Sequence, residues 1–233
     1  MSLPRSNYAH RLAESPELIP ADPFALRAGW ADYFRARIGP AFGGEVTLEI
    51  GCFDAELVAK VAPNHPGRAF VGLDWKAKAI HDGARRLTEL GVANVALVRA
   101  RGQDLPRLFS PGEVGAIWVF HPDPFDGPDE LKHRLVTPAF LRDVHAALQP
   151  GGRLILKTDH AEYFGWVMAQ LAAVGPLFDI VHSSADYAAD PIGRAAALAH
   201  PFGPHATMFE RRFVARGQAI AYLEAVRRPT VDE

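Results

Sequence analysis

Short, mainly apolar runs bounded by turn residues recur along the chain, at 46–50, 69–73, 95–99, 115–120, 154–158 and 178–182. Runs without polar alternation predict strands buried on both faces. Between them, apolar residues recur at helical spacing over 55–61, 76–90, 137–148 and 163–174, with Gly91 ending the second helix and Pro150-Gly151-Gly152 the third. Strands alternating with helices of this length predict an α/β fold built on a mostly parallel, doubly wound sheet. Residues 1–40 are rich in Pro and mixed charge and read as an extended arm with a short helix near 24–38; residues 41–233 read as a single domain. Residues 183–206 have no period and read as loop. The tail from Thr207 alternates in its first half and predicts a last strand or hairpin, antiparallel to the rest.

Composition narrows this little. Of 233 residues, 48% are hydrophobic and 22% charged, as in an ordinary globular protein able to bury a substantial core. No apolar stretch is long enough to span a membrane, and the N-terminus has no apolar signal core. The lone Cys52 excludes an internal disulfide and suits a reducing cytoplasm. A net charge of −2 excludes a globally basic nucleic-acid binder, so RNA contact would need a local patch. Arg5, Arg11, Arg27, Arg35 and Arg37 make the arm locally basic.

Candidate chemistry lies at the predicted strand ends, where open α/β sheets bind ligands. Leu48-Glu49-Ile50-Gly51 runs from a strand into a tight turn and a helix, an arrangement that cradles nucleotide-type cofactors or forms a plain strand–helix turn. Asp74 closes the next strand, where a carboxylate can accept from ribose hydroxyls. His121-Pro122-Asp123-Pro124-Phe125 is a rigid turn that aims Asp123, and Thr158-Asp159 ends the following strand; each Asp could also be a local cap. Asp123 and Asp159, 36 residues apart, would face one crevice. Glu210, in Thr207-Met208-Phe209-Glu210, could accept from N1–H and the amine of guanine, or pair with Arg211 or Arg212. His, Cys and Asp show no metal-ligand spacing, and no Walker-type phosphate loop is present.

These pieces in this order resemble the bacterial tRNA (guanine-N7)-methyltransferase family. The resemblance runs from about Asp22 to Arg227 and includes LEIG at 48–51, VGLD at 71–74, PDPF at 122–125, PGGRLILKTD at 150–159 and TMFERRFVARGQAI at 207–220. It implies a Rossmann-like class I fold, S-adenosylmethionine as cofactor, tRNA as partner, no metal, and a monomer or homodimer. Glu49 and Gly51 would line the cofactor loop, and Asp74 would hold the ribose. Asp123 would stand between methyl donor and guanine as the catalytic residue. Asp159, Thr207 and Glu210 would hold and read the base. Three features depart from the family pattern. Its Gly-x-Gly-x-Gly loop is Gly51-Cys52-Phe53-Asp54-Ala55, its adenine-facing Asp aligns with Arg101, and its basic stretch after the Pro-Asp-Pro turn carries Asp126, Asp129 and Glu130, with Gly127 where a catalytic Lys is usual. These departures keep open a different acceptor on the same scaffold, or a non-catalytic member.

Overall fold

A computed structural model describes residues 8–229, so Arg5 of the basic arm lies outside the described residues. The strands are β1 (Val46–Ile50), β2 (Ala69–Asp74), β3 (Val95–Arg99), β4 (Val114–Phe120), β5 (Leu148–Thr158), β6 (Phe178–Ser184) and β7 (Ala221–Arg227). The helices are α1 (Trp30–Ile38), α2 (Glu56–Val61), α3 (Ala77–Glu89), α4 (Leu105–Leu108), α5 (Pro138–Ala147), α6 (Ala161–Ala173), α7 (Pro191–Leu198) and α8 (Met208–Val214). The strands form one seven-stranded sheet in the order β3-β2-β1-β4-β5-β7-β6. The first five are parallel neighbours, and β7 runs antiparallel to both β5 and β6. The chain winds outward from β1 through β2 to β3, then crosses back to β4 on the other side. This reversal opens a crevice at the carboxyl ends of β1 and β4.

Every residue of β1 and β2 is buried, as apolar runs covered on both faces require. On one face Trp30 and Phe34 of α1, Phe140 of α5 and Tyr163 of α6 pack against the sheet. On the other, Leu57 of α2 and Ile80 of α3 pack with Trp118 and Phe202. Within the arm, Ala9–Glu14 is a 3-10 helix where extended chain was expected. Leu18 is buried, and its carbonyl accepts from Leu97 N at 2.7 Å. The arm thus covers the exposed side of edge strand β3.

Three expectations are corrected. Residues 208–214 form α8 and not a strand, because Thr207 caps the helix: its Oγ1 accepts from Glu210 N at 3.0 Å. The antiparallel strand comes later, at Ala221–Arg227. Residues 191–198, expected as loop, form α7, with the Asp190 side chain accepting from Ile192 N at 3.0 Å and Pro191 in the first turn. Finally, Pro150-Gly151-Gly152 lies inside β5, which begins directly after α5 at Leu148, and the pairing with β4 shifts register between Val114 and Ala116.

Candidate active site

The loop after β1 keeps a glycine-like path without the glycines. Gly51, Phe53 and Ala55 have φ of 83°, 49° and 57°. Two of these residues carry side chains in a left-handed conformation that costs roughly 1–2 kcal/mol each. Interactions around the loop hold it there. Gly51 N donates to Leu73 O at 2.7 Å, and Phe53 N to Asp74 Oδ2 at 3.1 Å. Arg86 of α3 donates to the Asp54 carboxylate at 2.6 Å and to the Asp54 carbonyl at 3.1 Å. Ala55 lies against Gly83, where an added Cβ would come within 3.0 Å of it. Cys52 is buried, and burial among carboxylates pushes its thiol well above the ordinary value, so it is no nucleophile.

Glu49 points into the crevice from β1. It is buried, and its Oε2 has no hydrogen-bond partner. Burial, together with the charges of Asp74, Asp54 and Glu56, pushes its pKa up to about 8. Asp74 at the end of β2 also accepts from Lys76 N at 2.8 Å, yet burial still raises its pKa above the usual range. The charge of Asp123 adds to that rise, so the turn after β4 lies within electrostatic reach of the end of β2. Glu49, buried with one oxygen unpartnered, and Asp74 stand together at the carboxyl ends of β1 and β2, an arrangement suited to a cation and to hydroxyl donors, while Asp54 and Glu56 are already paired with Arg86, Lys60 and Arg211.

The turn at 121–125 bends through positive φ at His121 (50°) and Phe125 (48°). Asp123, between them, is exposed. Arg134 supports the turn: its Nε donates to Pro124 O at 2.6 Å and its Nη2 to Asp126 Oδ1 at 3.3 Å, while its guanidinium lies over Trp166 and Tyr163. Asp126 also meets His160 Nε2 at 2.9 Å, so this acid of the altered loop is neutralised internally. Asp159 ends β5 beside His121 Nδ1, 3.2 Å away.

Thr207 and Glu210 do not converge on one point. Thr207 and Phe209 border the same small cavity as Glu49 and Gly51. Glu210 turns to the other side of α8, where it is buried and accepts from Lys157 Nζ at 3.3 and 3.2 Å and from the Tyr187 hydroxyl. The Lys157 ammonium also faces the rings of Tyr187, Phe202 and Phe120. Burial lowers its pKa, and Glu210 opposes that shift. Lys157, Tyr187, His121 and Arg134 escaped the sequence reading. Only Lys157, a charge inside an apolar strand run, carried a signal that could have found it.

Helix α8 closes the crevice from above. Phe209 meets Phe53 edge to face with centroids 5.8 Å apart, and Arg211 reaches across to Glu56 at 2.6 Å. The space left between them is about 30 Å³. A larger cavity of about 450 Å³ lies at the opposite end of the strands, near Arg68, Arg153 and His200, but these side chains are paired with Glu45 and Glu224 and none of the candidate residues borders it. Among the described residues no His, Cys, Asp and Glu cluster has metal-binding geometry, and no helix is long and apolar enough to cross a membrane.

The sheet order, the crevice at the β1–β4 reversal and the acidic strand ends define a class I methyltransferase fold. Residues 44–223 match the family described as "Putative methyltransferase", and the chain belongs to that family. Among curated proteins it is 29% identical over 221 residues to the tRNA (guanine-N(7)-)-methyltransferase of Latilactobacillus sakei, covering 93% of this chain and 94% of that protein. It is 27% identical to the enzyme of the same name from Geobacillus kaustophilus, covering 94% and 93%. Among solved structures, the 16S rRNA methyltransferase KamB superposes with a TM-score of 0.61 at 19% identity over 85% of this chain and 92% of that one. TrmN from Thermus thermophilus superposes at 0.53 and 18% identity, over 84% and 48%. These two likenesses concern the fold.

Proposed function

We propose that this methyltransferase uses S-adenosylmethionine and methylates N7 of a guanine in tRNA, in the cytoplasm. The observation that carries the cofactor reading is the buried, partnerless Oε2 of Glu49 beside Asp74. A carboxylate there suits an ammonium or sulfonium cation, and Asp74 suits ribose hydroxyls. The residues therefore fit the cofactor, provided Phe209 moves off Phe53. The relatives' names and their coverage of nearly the whole chain support the acceptor.

When bound, S-adenosylmethionine supplies a methyl group on a positively charged sulfur. Glu49 and Asp74 bind that cofactor. The N7 atom of guanine has a free lone pair, so no residue must remove a proton from it. Asp123, on its braced turn, then orients the base, and catalysis is mainly positioning. Asp159 and Thr207 border the space the base would enter, while Glu210 is free to read it only after parting from Lys157.

Calorimetric titration with S-adenosylhomocysteine tests the first half: micromolar binding supports it, and no binding at millimolar concentration by folded protein overturns it. Appearance of 7-methylguanosine in nucleosides digested from treated, unmodified tRNA tests the second. Exposed Asp129 and Glu130 favour a second reading, a small-molecule acceptor on the same scaffold, because like charges oppose phosphate contact. Robust tRNA methylation at low salt would exclude it.

A further inference from the structure

His121 has no role in the reading above, yet its environment is unusual. Its side chain is only 3% exposed and its ring lies 5.3 Å from that of Phe213. Its Nδ1 is 3.2 Å from Asp159 Oδ1, and its Nε2 is buried with no partner. A carboxylate accepts and does not donate, so the imidazole proton sits on Nδ1 and the lone pair on Nε2. The charged groups that face the ring are Asp159 and Lys157 from β5 and Glu210 from α8. Burial lowers the His121 pKa by more than the two carboxylates raise it, so the ring is neutral at physiological pH. An orphaned ring nitrogen in the interior is destabilising, a cost that a phenyl ring of similar size would avoid. The main chain is strained at the same residue, with φ of 50° just after β4. The oriented imidazole thus sits at the ends of β4 and β5, next to Asp123, with one acceptor atom unused.

We propose that His121 is a specificity-determining residue of the acceptor site: Asp159 orients it, and its Nε2 accepts the N1–H of the base to be methylated. The proposal rests on the reading that this crevice receives a purine. Guanine carries its N1–H and its exocyclic amine on the edge away from N7. An acceptor holding that edge leaves N7 facing the opposite way, toward the methyl donor. Adenine presents a lone pair at N1, which would oppose the Nε2 lone pair, so the imidazole selects guanine. The Phe213 ring lies against the His121 ring in this conformation, and the same displacement of α8 that frees Phe209 from Phe53 would draw Phe213 away from it.

The test compares the full-length protein with its His121→Phe and His121→Gln variants, checked for folding by thermal melting. Methylation is followed with S-adenosylmethionine and unmodified tRNA. The Phe variant, which keeps the ring volume, should raise KM for tRNA about tenfold, as loss of one buried hydrogen bond implies, and kcat should change less. The wild-type kcat/KM should fall at acid pH as the ring protonates, and the Phe variant should lose that limb. The Gln variant, which keeps an acceptor, should recover part of the affinity. Nitrogen-15 spectra of the ring provide a readout independent of turnover: with S-adenosylhomocysteine present, guanosine 5′-monophosphate should shift the Nε2 signal and adenosine 5′-monophosphate should not. A protein that methylates no tRNA but shows this shift disproves the tRNA acceptor and leaves the role of His121 standing. A Phe variant with wild-type KM and pH profile overturns the proposal. So does an Nε2 signal indifferent to guanosine monophosphate, whether or not the protein is active.

Discussion

Arg134 Nε donates to the carbonyl of Pro124 at 2.6 Å, a bond that helps tie the Asp123 turn to the body of the protein together with His121 N, which donates to Lys157 O at 2.8 Å. The arginine is itself buried, held between Trp166 and Tyr163 below and Asp126 above. Lysine cannot reproduce the planar fork that serves Pro124 and Asp126 together. Arg134→Lys should therefore lower kcat about tenfold or more through misplacement of Asp123, with little effect on cofactor affinity. Equal losses in both, by kinetics and calorimetry, would show that the arginine acts on the fold at large.

Asp123 is exposed and contributes to the potential around Asp74. Asp123→Ala should reduce turnover at least about a hundredfold and change S-adenosylhomocysteine affinity little. An affinity loss as large as the loss in turnover would move Asp123 from the acceptor side to the cofactor side.

Glu49 makes the ligand-free protein sensitive to pH. Its folded pKa of about 8 lies above the unfolded value, so its contribution is fully present below pH 4.5 and is lost as pH rises through 8. Glu49→Gln removes the buried charge. Its melting temperature should exceed that of the wild type at pH 8 by several degrees, from an effect on the order of a few kcal/mol, and the two should coincide at acid pH. The same variant should lose cofactor binding. A melting difference that does not vary with pH would refute the assignment.

Phe53 holds positive φ and stacks its edge on Phe209. Phe53→Gly relieves strain of roughly 1 kcal/mol and removes the ring that helps close the crevice. Affinity for S-adenosylhomocysteine should rise about threefold or more, seen by calorimetry. Unchanged or weaker binding would mean that the Phe53 ring itself contacts the cofactor. Ala55→Val should do the opposite, because a β-branched residue is poorly tolerated at φ of 57° and its methyl groups would press on Gly83.

The Lys157–Glu210 pair is buried on both sides. Lys157→Met should destabilise the fold by about 3–5 kcal/mol, because it strands a buried carboxylate. Adding Glu210→Leu should restore much of the loss, as chemical denaturation would show. If the single and double variants are equally destabilised, packing around Phe120, Phe202 and Tyr187 matters more than charge.

How far the sequence reveals this molecule depends on the kind of signal. Runs such as those at 69–73 and 115–120 announce buried strands because covered parallel strands have no polar face to show. The acids at strand ends were legible for the same reason: Glu49, Asp74, Asp123 and Asp159 interrupt or close apolar runs. The α8 segment was misread because alternation over a few residues outweighed a capping signal. Thr207-Met208-Phe209-Glu210 has the Thr-x-x-Glu spacing of a helix start, and Thr207 does cap α8. The partners of these residues were not legible. Nothing local in the chain links Lys157 to Glu210, 53 positions later, or Arg134 to the carbonyl of a proline.

Helix α8 makes Phe209 a neighbour of the loop after β1 and Phe213 a neighbour of His121, one turn apart on the same short rod. On the proposed function, cofactor and acceptor base would share a wall that neither could shift without affecting the other. By linkage, whatever factor the first ligand adds to the affinity of the second must be returned in equal measure. Binding order would then be a property of seven residues, and a titration with one ligand in the presence of the other would measure the stiffness of that rod.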